Sequence, residues 1–171
     1  MKKYLLILST LVVFLYANDA TETFDKGMAY LLGNGVTQSK EKAFELLTKA
    51  SKQGSCEAQY NLALMYYMGD GVEQNISKAA ELLERSAQKG YLKAVDNVGR
   101  VYMQLLKLDK ALPWLEKNAK NGDTEANYLL AEIYVEKEDF HQAKKYAKKA
   151  IEEGSLAAKD LWDTYNLSSY K

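Results

Sequence analysis

The sequence predicts an all-α fold, a right-handed α-solenoid of four helix pairs followed by a C-terminal cap helix. Residues 65–90 align without a gap on residues 29–54 after a shift of 36 positions, and a fixed period of about 20 to 50 residues is the signature of stacked repeats. Four runs also carry apolar residues at i, i+3 and i+4, with alanine, serine or asparagine at i+7, and each begins at an alanine and closes before a glycine. The alanines are Ala43, Ala79, Ala111 and Ala143, and the glycines are Gly54, Gly90, Gly122 and Gly154, both sets at spacings of 36, 32 and 32. The runs predict the second helix of each pair, closed by a left-handed glycine.

The first helix of each pair is marked by a small residue three positions before a tyrosine. The pairs are Gly27 and Tyr30, Ala63 and Tyr66, Gly99 and Tyr102, and Ala131 and Tyr134. Glycine in a helix interior costs about 1 kcal/mol relative to alanine, so we expect a neighbouring helix to approach too closely here for a larger side chain. The repeat domain is expected at 18–166, with repeats at 20–54, 56–90, 92–122 and 124–154, a cap helix at 155–166 and a loose tail at 167–171.

The start of each second helix distinguishes the third repeat from the others. Ser39, Asn75 and Asp139 lie four residues before the repeated alanine in repeats one, two and four, and all three residue types are good N-caps. The third repeat has Lys107 at this position and Pro113 further along, where a proline removes an amide donor from the helix. We therefore expect the third repeat to be irregular.

The N-terminus predicts an export signal. Lys2 and Lys3 precede an apolar run of 13 residues from Tyr4 to Tyr16, which suits a signal peptide and is shorter than the roughly 20 residues of a membrane span. We expect a signal peptide at 1–17 with cleavage after Ala17, and a periplasmic or secreted mature protein. An uncleaved anchor is the alternative; a lipid anchor would need a cysteine where Asn18 stands.

Charge and cysteine content narrow the function classes. Removing the two lysines of the signal peptide leaves 21 basic side chains against 23 acidic ones, a formal net charge of −2. A basic patch formed by Lys144, Lys145, Lys148 and Lys149 is followed by two glutamates, which favours a solvated surface over a nucleic-acid site. Cys56 is the only cysteine and has no intramolecular partner. It is interpreted as a turn residue, with a reactive thiol or an intermolecular bond as the alternative.

The second repeat carries a family resemblance. Its residues read Leu62-Ala63-x-x-Tyr66-x-x-Gly69-x-Gly71-Val72, followed by a Lys-Ala pair, two leucines and a closing Lys-Gly before Ala94. This stretch resembles Sel1-like repeats, a branch of the tetratricopeptide class. Repeats three and four look more like ordinary tetratricopeptide helix pairs. The resemblance covers about residues 20–165 and implies a scaffold that brings other proteins together.

The resemblance also suggests an enzymatic alternative. Among exported members, the chain is similar to cysteine-rich Helicobacter-type proteins, some described as penicillin-binding or β-lactam-hydrolysing, although that group carries paired cysteines. Ser39-x-x-Lys42 and Ser168-x-x-Lys171 match one motif of penicillin-recognising enzymes, but no Lys-Thr-Gly or Ser-Asp-Asn accompanies them. Ser39 is instead expected to cap a helix. A hydrolase of β-lactams or cell-wall peptides therefore remains the second hypothesis, and a structural spacer the third.

No cofactor or metal site is predicted. His141 is the only histidine, so no cluster of histidines and cysteines exists to bind zinc, and we expect this residue on the surface of the fourth second helix. The Gly-x-Gly loops lack the patterns that wrap phosphate. The sequence thus predicts a non-enzymatic protein.

In tetratricopeptide-like arrays the first helices line a concave groove, so the resemblance implies where a partner would bind. The predicted groove residues are Phe24, Met28, Leu31, Glu57, Tyr60, Leu64, Tyr67, Lys93, Asp96, Arg100, Met103, Glu125, Tyr128, Glu132 and Val135. The first helix of repeat two is apolar on nearly every side, which indicates either that it is completely buried or that it exposes an apolar surface able to bind a partner. Exposed aromatic clusters often mark protein interfaces. We expect a monomer that binds a protein or peptide of unknown identity; the alternative is that the tyrosines only pack on adjacent repeats.

Overall fold

The computed structural model describes residues 19–170, and within that range it contains α-helices, one short 3-10 helix and no strand. The helices are α1 (19–32), α2 (Lys40–Lys52), α3 (Cys56–Met68), α4 (Ile76–Gln88), α5 (Leu92–Gln104), α6 (Leu108–Lys120), α7 (Thr124–Glu136), α8 (Phe140–Glu152) and α9 (Leu156–Thr164), with the 3-10 helix at Leu167–Ser169. They form the four predicted pairs and the cap helix, which confirms the all-α class. The predicted signal peptide and its cleavage after Ala17 lie outside the described residues.

The chain divides into two compact units within α5. The N-terminal unit is Met1–Val95, described from residue 19, and the C-terminal unit is Asp96–Lys171, described to residue 170. Each unit is built from the same helix-pair element.

Polar caps set the start of the second helices. The side chains of Ser39, Asn75 and Asp139 each accept a hydrogen bond from the backbone N–H three residues further on, at distances of 3.3, 2.9 and 3.1 Å. These bonds satisfy amides that have no partner within the helix, and they confirm the three predicted caps. Lys107 makes no side-chain cap, also as predicted.

The carbonyl of the repeated tyrosine closes the turn within every helix pair. In each repeat it accepts the backbone N–H of the residue that precedes the second helix. The bonds are Ser39 to Tyr30 (3.0 Å), Asn75 to Tyr66 (2.8 Å), Lys107 to Tyr102 (3.0 Å) and Asp139 to Tyr134 (2.8 Å). Turns of both lengths therefore end on the same atom, and the four extra residues in repeats one and two leave the anchoring of the second helix unchanged.

In repeats one and three the small residue of the first helix lies against a leucine of the second helix, which is the close approach that the sequence predicts. A Cβ added at Gly27 would lie 3.1 Å from the Leu47 side chain, and one added at Gly99 would lie 2.9 Å from the Leu115 side chain. Ala63 is completely buried in the corresponding place. Close packing of this kind leaves no room for extra methylenes, so the small residues set how closely the paired helices approach.

The repeated tyrosine also carries a lysine above its ring. Lys42, Lys78 and Lys110, each one residue before the repeated alanine, place Nζ 5.2, 4.6 and 5.3 Å from the ring centroids of Tyr30, Tyr66 and Tyr102. A cation above an aromatic face is attracted by its quadrupole. The contact links the two helices of a pair in repeats one, two and three.

The third repeat differs from the others in the residues at its turn and at the start of its second helix. Leu106 has φ 55°, a left-handed conformation that is uncommon for a bulky residue, and α6 begins at Leu108 without a side-chain cap and continues through Pro113. The missing side-chain cap agrees with the expectation from Lys107, whereas α6 has 13 residues like the other second helices despite Pro113.

The C-terminal segment corrects the prediction of a loose tail at 167–171. Leu167 is completely buried in a cluster with Ala131, Val135, Ala143 and Ala147. The ring of Tyr170 stacks on Phe140 at 4.7 Å between centroids, and the Lys144 ammonium donates to the carbonyls of Ser168 and Tyr170. Residues 167–170 are therefore part of the folded C-terminal unit, while Lys171 lies outside the described residues.

Candidate protein-binding surface

In the N-terminal unit, α3 has one buried side and one partly exposed side, both apolar. Leu62, Ala63 and Tyr66 are buried, and the Tyr66 ring meets Phe44 of α2 edge-on at 5.5 Å. Leu64 and Tyr67 are only partly buried. The helix therefore serves the core and also presents apolar side chains to solvent.

Tyr60 combines packing with partial exposure. The centroid of its ring lies 5.3 Å from the centroid of the Tyr91 ring, and the two rings are tilted against each other. Aromatic pairs at such a distance attract each other. The packing interpretation thus accounts for one face of Tyr60, but the residue is still only partly buried.

The remaining predicted groove residues of this unit are also accessible. On α1, Phe24, Met28 and Leu31 are partly buried, whereas Glu57 at the start of α3 and Lys93 on α5 are exposed. The apolar members thus lie on α1 and α3, with charged members at helix starts.

Cys56 lies beside Glu57 in an arrangement that keeps the thiol protonated. The Glu57 carboxylate accepts hydrogen bonds from the Ser55 hydroxyl at 3.0 Å and the Cys56 thiol at 3.3 Å. Burial, followed by the contact with Glu57, raises the pKa of the Cys56 thiol. Because the thiolate is the nucleophile of cysteine chemistry, these contacts favour the structural interpretation of Cys56 over a reactive thiol.

In the C-terminal unit the corresponding surface is charged. The Arg100 guanidinium bridges Asp123 at 2.7 Å and Glu125 at 2.9 Å, and Asp123 also caps α7 by accepting from the Ala126 amide at 3.1 Å. Burial lowers the pKa of Arg100, but the two carboxylates outweigh it and the net shift is upward. The network joins α5 to the start of α7 and leaves Asp96 and Glu125 exposed.

Tyr128 and Glu132 form a second polar contact one turn along α7. The Tyr128 hydroxyl donates to the Glu132 carboxylate. Burial, followed by the bond and the charge of Glu132, raises the pKa of Tyr128 to about 12. Both side chains are partly buried, so both of these predicted groove residues keep some access to solvent.

We expect Tyr128 to titrate near pH 12, well above an ordinary tyrosine. Since its folded pKa exceeds the usual value of 10.0, its contribution to stability is fully present below pH 10 and is lost as the pH rises through about 12. NMR of ¹³Cζ-labelled tyrosine measures this pKa directly. Glu132→Gln, which removes the charge but keeps the shape, should bring the pKa of Tyr128 closer to 10.0. An unchanged pKa would show that burial alone raises it and that Glu132 does not contribute.

Val135 corrects the predicted groove. It is 9% exposed and packs in the cluster around Leu167, so its side chain is not available to a partner. Met103 is partly buried and lines an open pocket with four residues that the sequence analysis did not select, namely Leu106, Leu108, Ile133 and Glu136. Leu106 itself was the sequence signal for this pocket, because it is an apolar residue at a turn position where the next repeat has Glu138.

The residues considered for chemistry have structural partners. The Ser39 hydroxyl caps α2 and donates to Glu41 at 3.0 Å, while the ammonium of Lys42 lies over Tyr30. His141 is exposed on α8, as predicted. Within residues 19–170, no three His, Cys, Asp or Glu side chains group closely enough to hold a metal ion, and no helix there has the length and apolar character needed to cross a bilayer.

The basic patch on α8 is also engaged within the chain. Lys144 binds carbonyls of the C-terminal segment, Lys149 donates to the Ala119 carbonyl at 3.1 Å, and Lys148 lies 3.8 Å from Glu152. Lys145 lies over the Tyr146 ring at 5.0 Å. Each of the four lysines therefore has a contact within the chain.

Comparison with known families matches the Sel1 repeat at residues 27–55, 56–91 and 124–155, more than half of the chain. The chain belongs to the Sel1 repeat family. The fourth repeat is thus a Sel1 repeat, which corrects its interpretation as an ordinary tetratricopeptide pair. The third repeat lies outside the matched segments.

Solved structures support the same fold. This Sel1 repeat protein is similar to c5321, a protective antigen of uropathogenic Escherichia coli strains with an SLR fold (26% identity, TM-score 0.63, 89% of this chain and 34% of that one). It is also similar to MamA (27% identity, TM-score 0.59, 88% and 86% covered). A Sel1 repeat protein of Oxalobacter formigenes shows the fold alone (24% identity, TM-score 0.56, 81% and 59% covered).

The chain spans about a third of the length of the Escherichia coli antigen and about three fifths of the Oxalobacter protein. No curated protein is similar enough to count as a match. The fold is that of Sel1 solenoids, a scaffold typical of protein–protein interaction.

Proposed function

We propose that this Sel1 repeat protein is an exported, non-enzymatic scaffold that captures a protein or peptide on the exposed sides of its first helices. The observation that carries the proposal is the partly exposed apolar side of α3, formed by Tyr60, Leu64 and Tyr67. Large aromatic and aliphatic side chains that are already held by a rigid helix lose little conformational entropy on binding, and tyrosine is enriched among interface hot spots.

The two units would contribute different chemistry. The N-terminal unit offers an apolar and aromatic surface, including Phe24 and Met28 on α1. The C-terminal unit offers charged groups held by Arg100, Asp123 and Glu125. The apolar surface of the N-terminal unit would supply binding affinity, and the charged surface of the C-terminal unit would select among partners.

Export is the second part of the proposal and depends on the sequence of residues 1–17. Expression of the full chain in a bacterial host, followed by cell fractionation and N-terminal sequencing, tests it. We expect a periplasmic or secreted product that begins at Asn18; a cytoplasmic product that retains Met1 would reject export.

The binding proposal is tested by site-specific photo-cross-linking in the native host. A photoreactive phenylalanine analogue at Tyr67 should capture a discrete partner, because that side chain lies on the apolar side of α3. The same analogue at Glu81, exposed on α4, is the matched control and should capture nothing specific. Mass spectrometry of the cross-linked band identifies the partner.

Two substitutions then separate binding from folding. Leu64→Asp and Tyr67→Ala should each abolish the cross-link seen from a probe at Tyr60 while leaving the thermal unfolding midpoint near that of the parent. Loss of the fold in either variant would show that the substituted residue is part of the core and not of a binding surface. Equal labelling from Tyr67 and Glu81, or none from either, would favour a structural spacer.

A further inference from the structure

The turn between α5 and α6 presents a leucine in an unfavourable setting. Leu106 is 83% exposed and has φ 55°. A left-handed backbone brings Cβ close to the following carbonyl, and an exposed leucine gains nothing from burial. Glu138 occupies the same place in the next repeat with φ 59° and a polar side chain. The turn itself therefore does not require leucine.

Leu106 borders an open pocket with apolar walls and an acidic rim. The pocket is about 360 Å³ in volume. Met103, Leu106 and Leu108 line it together with Glu132, Ile133 and Glu136 of α7. The two glutamates are four residues apart, so they lie on one face of the helix. Glu132 accepts the Tyr128 hydroxyl, and none of the ion pairs within residues 19–170 includes either glutamate.

The same two leucines border a second pocket of opposite charge. Its volume is about 410 Å³, and Lys107, Lys110 and Lys137 line it with a single acid, Asp109. Asp109 is already paired with Lys137 at 2.8 Å. A segment lying over Leu106 would therefore meet carboxylates on one flank and ammonium groups on the other.

We propose that the pocket formed by Met103, Leu106, Leu108, Glu132 and Glu136 binds a segment of another protein in which an apolar side chain has lysine or arginine on one side. The apolar side chain would pack against the two leucines and the methionine, and the cation would lie beside the two carboxylates. A cation on both sides is disfavoured, because the lysines of the second pocket repel it. The inference rests on the proposed scaffold function and names the chemistry of the partner at the C-terminal unit.

Synthetic peptides test the chemistry on the mature chain, residues 18–171. The probe is an amidated hexapeptide with two lysines, two leucines and two glycines in that order. Its twins replace the lysines by glutamates or the leucines by serines. Methyl NMR of labelled methionine and leucine should show shifts at Met103, Leu106 and Leu108 with the basic probe, and much weaker shifts with either twin at equal concentration.

Substitutions in the turn give a matched pair. Leu106→Gly removes the side chain and relieves the left-handed backbone, so its unfolding midpoint should be no lower than that of the parent. Its affinity for the probe should fall about tenfold to a hundredfold, as expected for one lost leucine-sized contact. Glu138→Gly makes the same backbone change in the next repeat and should leave probe binding unchanged. Glu132→Gln and Glu136→Gln should each weaken binding about two- to fivefold.

Every alternative result is informative. Equal binding of the acidic twin, shifts that map away from the pocket, or an unchanged affinity of Leu106→Gly would overturn the inference. So would a concentration-dependent dimer that Leu106→Gly abolishes, because a second copy would then be the occupant. If the probe fails while Tyr67 still cross-links a partner in the host, only this inference fails; loss of the Tyr67 cross-link would reject the scaffold function itself.

Discussion

Leu167→Ala should lower the free energy of unfolding of the C-terminal unit by about 2–5 kcal/mol, the range for truncating a fully buried leucine. Leu167 is completely buried between α7 and α8, where it packs on Ala131, Ala143 and Ala147. Three alanines cannot fill the space that its side chain leaves, so the variant keeps a cavity. Deletion of residues 167–171 should destabilise the unit at least as much, because it also removes the Tyr170 ring from Phe140.

Leu156→Ala is the matched control for this experiment. It makes the same chemical change in the same unit, but at a side chain that is 78% exposed, and it should alter stability by no more than about 0.5 kcal/mol. Urea unfolding followed by circular dichroism measures both variants, and hydrogen exchange of α7 and α8 amides localises the effect. Equal destabilisation by the two variants would show that Leu167 has no special role in the core.

The C-terminal segment was mispredicted because its composition is misleading. Ser168 and Ser169 next to a terminal lysine are typical of a frayed end. The informative signal was elsewhere: repeats one to three place Leu47, Leu83 and Leu115 at one position of the second helix, whereas repeat four has Ala147. A missing leucine in the pattern indicates that another residue must fill the space, and Leu167 does so.

The helix pairs were predictable because several levels of the sequence agree. Apolar period, capping residues such as Ser39 and Asn75, and closing glycines all indicate the same boundaries, and such agreement is the mark of a sequence that specifies one fold. The candidate surface was less predictable, since exposure depends on neighbouring elements. Val135 was selected by its place in the repeat and is covered by the C-terminal segment. The handedness of the backbone at Leu106 has no local signal, because leucine is not a residue that favours φ above zero.

Gly99 lies where α5 and α6 approach each other closely, and filling this space should have a large effect on stability. Gly99→Leu should lower the free energy of unfolding by about 1–3 kcal/mol, because extra methylenes in a packed core force side chains and backbone to shift. Even a bare Cβ at Gly99 would lie 2.9 Å from two atoms of the Leu115 side chain and 3.4 Å from its backbone nitrogen. Leu115 is itself completely buried and has little room to move away. The gain in helix propensity, about 1 kcal/mol, opposes the clash but should not offset it.

A double-mutant cycle shows whether the clash with Leu115 is the cause. Leu115→Ala alone should cost about 2–5 kcal/mol through the cavity that it creates. Combined with Gly99→Leu, the new leucine can occupy part of that cavity, so the double variant should be more stable than the sum of the two changes by about 0.5–3 kcal/mol. Asp96→Leu, at an exposed position of the same helix, controls for the added apolar side chain and should change stability by no more than about 0.5 kcal/mol. Additive costs in the cycle would mean that Gly99 is required for a reason other than its contact with Leu115.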